Sequence, residues 1–321
     1  MAPYQGTPGF LPLGRLADTL EQLARAGLRD LYEGEVADTL ARDVAAMGGV
    51  LSRADLAGCE ARFRPADEIV WRGRVLQTPG GLTAAPTLAR VLGAMEGVAA
   101  SNPDAPWFAA FARAMQAAYA ERLQGLGEAE PRGADSCTTH LTVCDADGTM
   151  VAMTTTLLSS MGSRVVLPGS GVLMNNGVMW FDPAPDRPNS VAPGKRPLTN
   201  MCPVILRDGD APTLALGASG GRRILAAVAQ SLLFVAGFGM DLETAAHHPR
   251  IDVSGPEGVT ADRRLGPAVL DALRADGPVE VVEHAVLPVN FACPNMILQR
   301  DGARVGITDA MSPWSAALAQ G

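Results

Sequence analysis

The chain has 321 residues, 47% of them hydrophobic and 19% charged, which allows a sizeable core and excludes global disorder. Its net charge of −8, from 26 basic and 34 acidic residues with no basic run, argues against a nucleic-acid-binding surface. No apolar stretch approaches the roughly 18 residues of a membrane span, and Met1 to Phe10 lacks the basic and apolar regions of a signal peptide, so the expected location is the cytoplasm.

In chain order, Arg15 to Ala26 sets Leu16, Leu20 and Leu23 at helical spacing and ends at Gly27. Glu33 to Met47 repeats the pattern through Val36, Leu40 and Val44, then meets Gly48-Gly49. Ser52, with Asp55 three residues on, caps a short helix from Arg53. Glu68 to Trp71 and Arg74 to Gln77 read as strands about Gly73. Pro86 opens a helix to Met95, and Pro106 to Leu123 is a longer, alanine-rich one. This first part carries no chemistry that its residue types name.

A polar, loop-like stretch, Gly125 to Cys137, comes next. Thr138 to Val143 is β-branched and alternating and reads as a strand. Met150 to Leu157 follows as the second arm of a hairpin across Asp145-Ala146-Asp147-Gly148. With Ala146-Asp147-Gly148 as the loop, Thr138 faces Thr156 at the open end, where Thr138 starts its strand. A hydroxyl there is a nucleophile if a base lies beside it. Threonine is also a common strand residue, and the hairpin alone leaves both readings open.

Val165 to Met174, with Pro168 and Gly169 inside it, reads as an irregular strand or bulge. Asp182 to Pro197 holds five prolines and reads as loop. Cys202 to Leu206 and Thr213 to Leu216 read as paired strands, and Arg222 to Phe238 as a long buried helix. Leu242 to Ala246 is a helical turn. Beyond it come a strand near Val259, a helix from Pro267 to Ala275, a strand from Val279 to Val282 and a hairpin about Asp301-Gly302. Cys59, Cys137, Cys144, Cys202 and Cys293 share no CxxC spacing, which favours buried reduced thiols over a disulfide framework or a zinc site. His247-His248 diverge as neighbours, and no third ligand is apparent.

Thr138-Thr139-His140, Asp145-Ala146-Asp147-Gly148 and Thr154-Thr155-Thr156 resemble the start of the small subunit in the γ-glutamyltransferase family. Further matches follow in order: Ser170 to Asn176, Pro193 to Leu198, Met201-Cys202-Pro203, and Gly217 to Gly221. The resemblance implies an α+β fold, the four-layer αββα sandwich of N-terminal-nucleophile hydrolases, which cut themselves into two subunits. Residues 1–137 are then the mostly helical C-terminal part of the large subunit and 138–321 the small subunit, together one αββα domain and a heterodimer after cleavage between Cys137 and Thr138. Large subunits of the family are usually longer. That leaves two readings, a short relative or a chain with further sequence upstream, which could carry an export signal.

Cleavage there frees the α-amine of Thr138, whose ordinary pKa is about 8, so part of it is neutral and takes the proton of the same residue's hydroxyl. One residue then supplies nucleophile and base, and neither a Ser-His-Asp array nor a cofactor is called for. The resemblance assigns nucleophile to Thr138 and its orientation to Thr156. Gly220-Gly221 lie between a strand and a helix start, where close backbone approach and unpaired N–H groups meet the needs of an oxyanion hole. A plain tight turn is the other reading, and the resemblance favours the oxyanion hole. Cleavage one residue earlier would instead expose Cys137. His140, two residues on, is expected to pack or orient.

The resemblance also marks departures in substrate recognition. Leu158 stands for a family Asn, Gly177 for a Gln, Trp180 for the Asp that binds the substrate α-amine, and Thr199-Asn200 for a Ser-Ser pair on its carboxylate. The expected function is a self-processing amide hydrolase or acyl transferase. It acts on γ-glutamyl or glutaryl-like amides with water or an amine as acceptor, without nucleic acid or membrane as partner. The alternatives are a true γ-glutamyl enzyme with an altered pocket and an incomplete or unprocessed chain without activity.

Overall fold

The computed structural model describes residues 13–126 and 136–320, with the side chains of Ser136 and Cys137 left aside. It divides into two units: the described residues up to Arg64 with Met161–Asn176, and Pro65–Ser160 with the described residues from Gly177 on.

The smaller unit carries helices α1 (Leu16–Ala26), α2 (Asp30–Glu33), α3 (Glu35–Ala46) and α4 (Arg53–Ala57). Leu167 packs between Val36 and Leu40, with Leu23, Leu31 and Val44 around them. The helix expected from Glu33 to Met47 starts later, because α2 stops at Gly34 and the Asp30 carboxylate accepts the N–H groups of Glu35 and Val36 at 3.1 and 3.0 Å. A Cβ on Gly34 would sit 1.7 Å from Asp30 Oδ1, so the cap needs glycine there. Ser52 and Asp55 form the expected capping box on α4. Val165 to Met174 is not a strand; it holds only an isolated bridge, Val166 to Leu173, about a turn at Gly171. Gly171 has φ +71°, and a Cβ there would meet the Leu13 carbonyl at 2.1 Å.

In the larger unit, β1 (Asp67–Trp71) and β2 (Arg74–Thr78) precede α5 (Ala85–Met95) and α6 (Ala105–Gly125). The hairpin β3 (Ser136–Cys144) and β4 (Met150–Ser159) follows, then β5 (Val204–Asp208) and β6 (Ala211–Ser219). The expected helix from Arg222 to Phe238 is three segments: a 3-10 turn Gly221–Arg223, α7 (Ile224–Leu232) and a π turn Leu233–Gly237. After α8 (Leu242–His247) come β7 (Ile251–Asp252), β8 (Val259–Asp262), α9 (Gly266–Asp276), β9 (Val279–Val282), β10 (Cys293–Arg300) and β11 (Ala303–Thr308). The pairing of β8 with β9 is parallel.

Among the described residues, one antiparallel sheet runs β1-β2-β5-β6-β10-β11. Alternation decides what each face meets. Leu214, Leu216 and Ala218 of β6 and Met296 of β10 join a core with Phe108, Phe111, Val228 and Phe234 from the helices. The opposite face carries the hairpin: Thr142 Oγ1 donates to Asn295 Oδ1 at 2.9 Å, and Asn295 Nδ2 donates to the His140 carbonyl at 2.6 Å. Gly217 lies under the His140 ring, where a Cβ would meet Cε1 at 2.1 Å. Helices, sheet and hairpin thus form three successive layers of an α+β unit.

Cysteine burial is not uniform as expected. Cys202 is buried, and desolvation pushes its thiol up to about 12, but Cys59 is exposed. No described helix is long and apolar enough to cross a membrane.

Candidate active site

The hairpin register is the expected one. Thr138 faces Thr156, Thr139 faces Thr155, and the ladder runs on to Cys144 and Met150. One correction concerns its start. The strand begins at Ser136, so Thr138 lies inside a continuous strand rather than at its first residue. A register shift falls between Cys137 and Thr138, where Cys137 pairs with Leu158 and Leu157 is the extra residue.

That bulge shapes the residues around Thr138. Its Oγ1 lies 3.1 Å from Thr156 Oγ1. Thr156 Oγ1 also accepts the N–H of Leu158 at 2.9 Å. Leu158 itself takes φ +76° beside the bulge, a left-handed conformation uncommon for a γ-branched side chain. Its side chain is buried against the same cleft.

On the facing side, β6 ends at Ser219 and the chain turns through Gly220 and Gly221 into α7. Gly220 has φ +144°, and a Cβ there would lie 2.7 Å from the Ala292 Cα. Gly221 has φ +62°. The Gly220 carbonyl accepts from the backbone N–H of Arg223 and from its Nε, each at 3.3 Å. Gly221 lines one cleft with Thr138, Thr156, Leu158, Trp180, Asn200, Met201 and Ile224. With the chain continuous across Cys137–Thr138, that cleft encloses only about 10 Å³, the space of a single water. A larger cleft of about 360 Å³ lies at the far turns of the sheet, beside Arg74, Asp208 and Arg300, away from Thr138.

Not every expected recognition residue reaches the cleft. Trp180 does, at the end of the turn Gly177–Trp180, its carbonyl held by Asn189 Nδ2 at 2.5 Å. Gly177 opens that turn and does not line the cleft. Asn200 lines it, while Thr199 turns away and donates its hydroxyl to the Leu82 carbonyl at 3.0 Å. The Cys137 side chain lies outside the described residues.

The sequence reading missed Arg122. Its guanidinium is buried and donates to Asn200 Oδ1 at 3.2 Å, to the Thr199 carbonyl at 2.8 Å and to the Thr83 carbonyl at 3.0 Å. With Oδ1 occupied, the orientation of the Asn200 amide is fixed. The signal was present. Phe111, Met115, Ala118 and Tyr119 form the buried stripe of α6, and Arg122 continues it as a charge in an apolar register.

His140 is buried, with Nδ1 2.8 Å from Thr154 Oγ1 and Nε2 without a partner. Desolvation lowers its pKa to about 4, so it stays neutral at physiological pH. His248 lies against the Phe234 ring, with centroids 4.5 Å apart.

The sequence profile of the family Gamma-glutamyltranspeptidase matches residues 9–135 and 127–312. Over 114 residues the chain is 42% identical to the glutathione hydrolase proenzyme of Bacillus subtilis (strain 168), covering 36% of this chain and 19% of that protein. Against the acylase ACY 1 proenzyme of Pseudomonas sp. (strain SE83) it is 29% identical over 300 residues, 81% of this chain and 53% of the relative. The crystal structure of cephalosporin acylase from Bacillus halodurans matches it with a TM-score of 0.85 at 23% identity, covering 95% of this chain and 62% of that one. That likeness speaks for the fold alone, which is α+β as expected. The chain spans about half the length of the curated relatives it matches over most of its own.

Proposed function

The chain belongs to the gamma-glutamyltranspeptidase family, and on that premise we propose that it is a self-processing amide hydrolase with Thr138 as nucleophile. The observation that carries the reading is one cleft holding Thr138 Oγ1, its partner Thr156 Oγ1 at 3.1 Å, and the backbone of Gly221.

Processing comes first. The Thr138 hydroxyl attacks the Cys137 carbonyl, and the C–N bond breaks as its proton passes to the departing nitrogen. An ester remains between Cys137 and Thr138 Oγ. Water hydrolyses it, leaving a carboxylate on Cys137 and a free α-amine on Thr138. In turnover that amine takes the hydroxyl proton while Oγ attacks the substrate carbonyl. The Gly221 N–H faces the developing oxyanion. Collapse expels the amine product, which takes up the proton, and water or a second amine releases the acyl group from the ester.

Trp180 and Leu158, which line the cleft with Thr138, favour an acyl chain without an α-ammonium, such as glutaryl, over γ-glutamyl. Thr138→Ala removes the attacking oxygen. It is expected to leave one uncut polypeptide by intact mass and no hydrolysis of glutaryl or γ-glutamyl p-nitroanilide, where the unaltered chain gives both. Cleavage or turnover in that variant would refute the assignment.

A further inference from the structure

We propose that Arg223 is a positioning residue that fixes the plane of the Gly220–Gly221 peptide and so aims the Gly221 N–H into the cleft. The inference rests on the oxyanion role given to Gly221 above and adds a residue outside the cleft lining. Arg223 Nε and backbone N–H both donate to the Gly220 carbonyl at 3.3 Å, and Nη1 donates to the carbonyl of Val289 in the loop before β10. One guanidinium therefore ties the glycine turn to a second segment of the chain.

A trans peptide holds its C=O and N–H on opposite sides. With the Gly220 oxygen drawn towards Arg223, the Gly221 hydrogen points the other way, and Gly221 lines the cleft that contains Thr138. Two glycines in sequence do not keep such a plane by themselves, since each has access to both signs of φ. A cationic donor on the carbonyl also polarises the amide, which makes its N–H a stronger donor to an anion. Ala292 closes the other side. Its Cα would lie 2.7 Å from a Cβ on Gly220, and its carbonyl accepts from the buried Arg250 at 3.4 Å. Arg250 in turn pairs with Asp309 at 2.5 Å. The turn is thus braced by Arg223 on its carbonyl and by Ala292 on its Cα.

The test labels glycine with both ¹³C′ and ¹⁵N, so that an HNCO spectrum shows only Gly-Gly pairs. The sequence has three: Gly48-Gly49, Gly80-Gly81 and Gly220-Gly221. Arg223→Gln and Arg223→Lys are expected to move the Gly221 peak and speed its hydrogen exchange while those of Gly49 and Gly81 stay. In the same variants kcat for an anilide substrate should fall about 10- to 100-fold with KM within about twofold, the pattern of a lost transition-state contact. An unmoved Gly221 peak overturns the proposal. So does a moved peak with unchanged kcat. Failure of the underlying reading looks different: Thr138→Ala would keep turnover, or the unaltered chain would show none. The clamp is then judged by the Gly221 peak alone.

Discussion

At the scale of single residues, the proposed preference for glutaryl over γ-glutamyl amides rests on two side chains. Trp180 stands in the cleft where the resemblance places the aspartate for an α-ammonium, and Leu158 stands for an asparagine. An ammonium against the indole keeps a cation–π attraction of roughly 0.5–2 kcal/mol. A charge-assisted bond to a carboxylate is stronger and better directed. The expected outcome is that glutaryl p-nitroanilide is hydrolysed with a kcat/KM at least equal to that of the γ-glutamyl compound. Trp180→Asp should then shift the ratio towards γ-glutamyl by on the order of tenfold. Leu158→Asn suits the same backbone, because asparagine tolerates a positive φ, and it should add to the shift, at the cost of the burial that Leu158 contributes. A marked γ-glutamyl preference in the unaltered protein would mean that some other group binds the ammonium.

At the scale of elements, the seam between hairpin and sheet depends on a neutral His140. Burial depresses its pKa to about 4 from an ordinary 6.5. The unfolded chain therefore takes up a proton that the folded chain refuses. The sign follows: this contribution is fully present above about pH 6.5 and is lost as pH falls towards 4, roughly 2 kcal/mol between pH 7 and 5. Urea unfolding at those two pH values should show that loss in the unaltered protein and a smaller one in His140→Phe, whose ring keeps the contact with Gly217. Parallel losses would refute it. The same seam shows what the sequence made legible. Alternation and the three-residue loop gave the register that brings Thr138 to Thr156, because a strand has a period of two and the loop fixes its phase. Gly217, which the sequence reading left one residue past the strand end at Leu216, lies inside β6 under the His140 ring, a close approach that only the structure shows. Other features depend on distant partners and left weaker traces. Asp30 caps α3 across Gly34, the Leu157 bulge answers to the geometry at Thr156, and the turn at Gly171 fits against Leu13. None of these follows from local propensity. Arg122 left a trace, as a cation on the buried stripe of α6, but its acceptors lie on segments far along the chain.

At the scale of the whole molecule, the expected cut between Cys137 and Thr138 falls inside the larger unit, and the unit is interlaced across it. Strand β2 precedes the cut and pairs with β5 behind it, Val75 with Arg207, Leu76 with Leu206 and Gln77 with Ile205. The core mixes both sides as well, with Trp71, Leu88, Phe108 and Phe111 from before the cut and Val204, Leu214, Val228 and Phe234 from after it. Polar ties also cross: Tyr119 Oη donates to the Arg222 carbonyl at 2.7 Å, and Arg122 to that of Thr199 at 2.8 Å. Separating the pieces would expose this shared core and the backbone groups of β2 and β5 together, and each side chain of that size costs about 1.5–3 kcal/mol to bring into water. Cleavage is therefore expected to leave residues 1–137 and 138–321 as one particle. Intact mass should report the two pieces, while gel filtration under native conditions gives a single peak containing both in equal amounts. Leu76→Asp places an unpaired carboxylate in that core, at a cost of several kcal/mol, and should weaken the association or the fold that precedes it. Pieces that part on a native column without denaturant would show that the sheet does not hold the two halves, and the proposed heterodimer would fall with it.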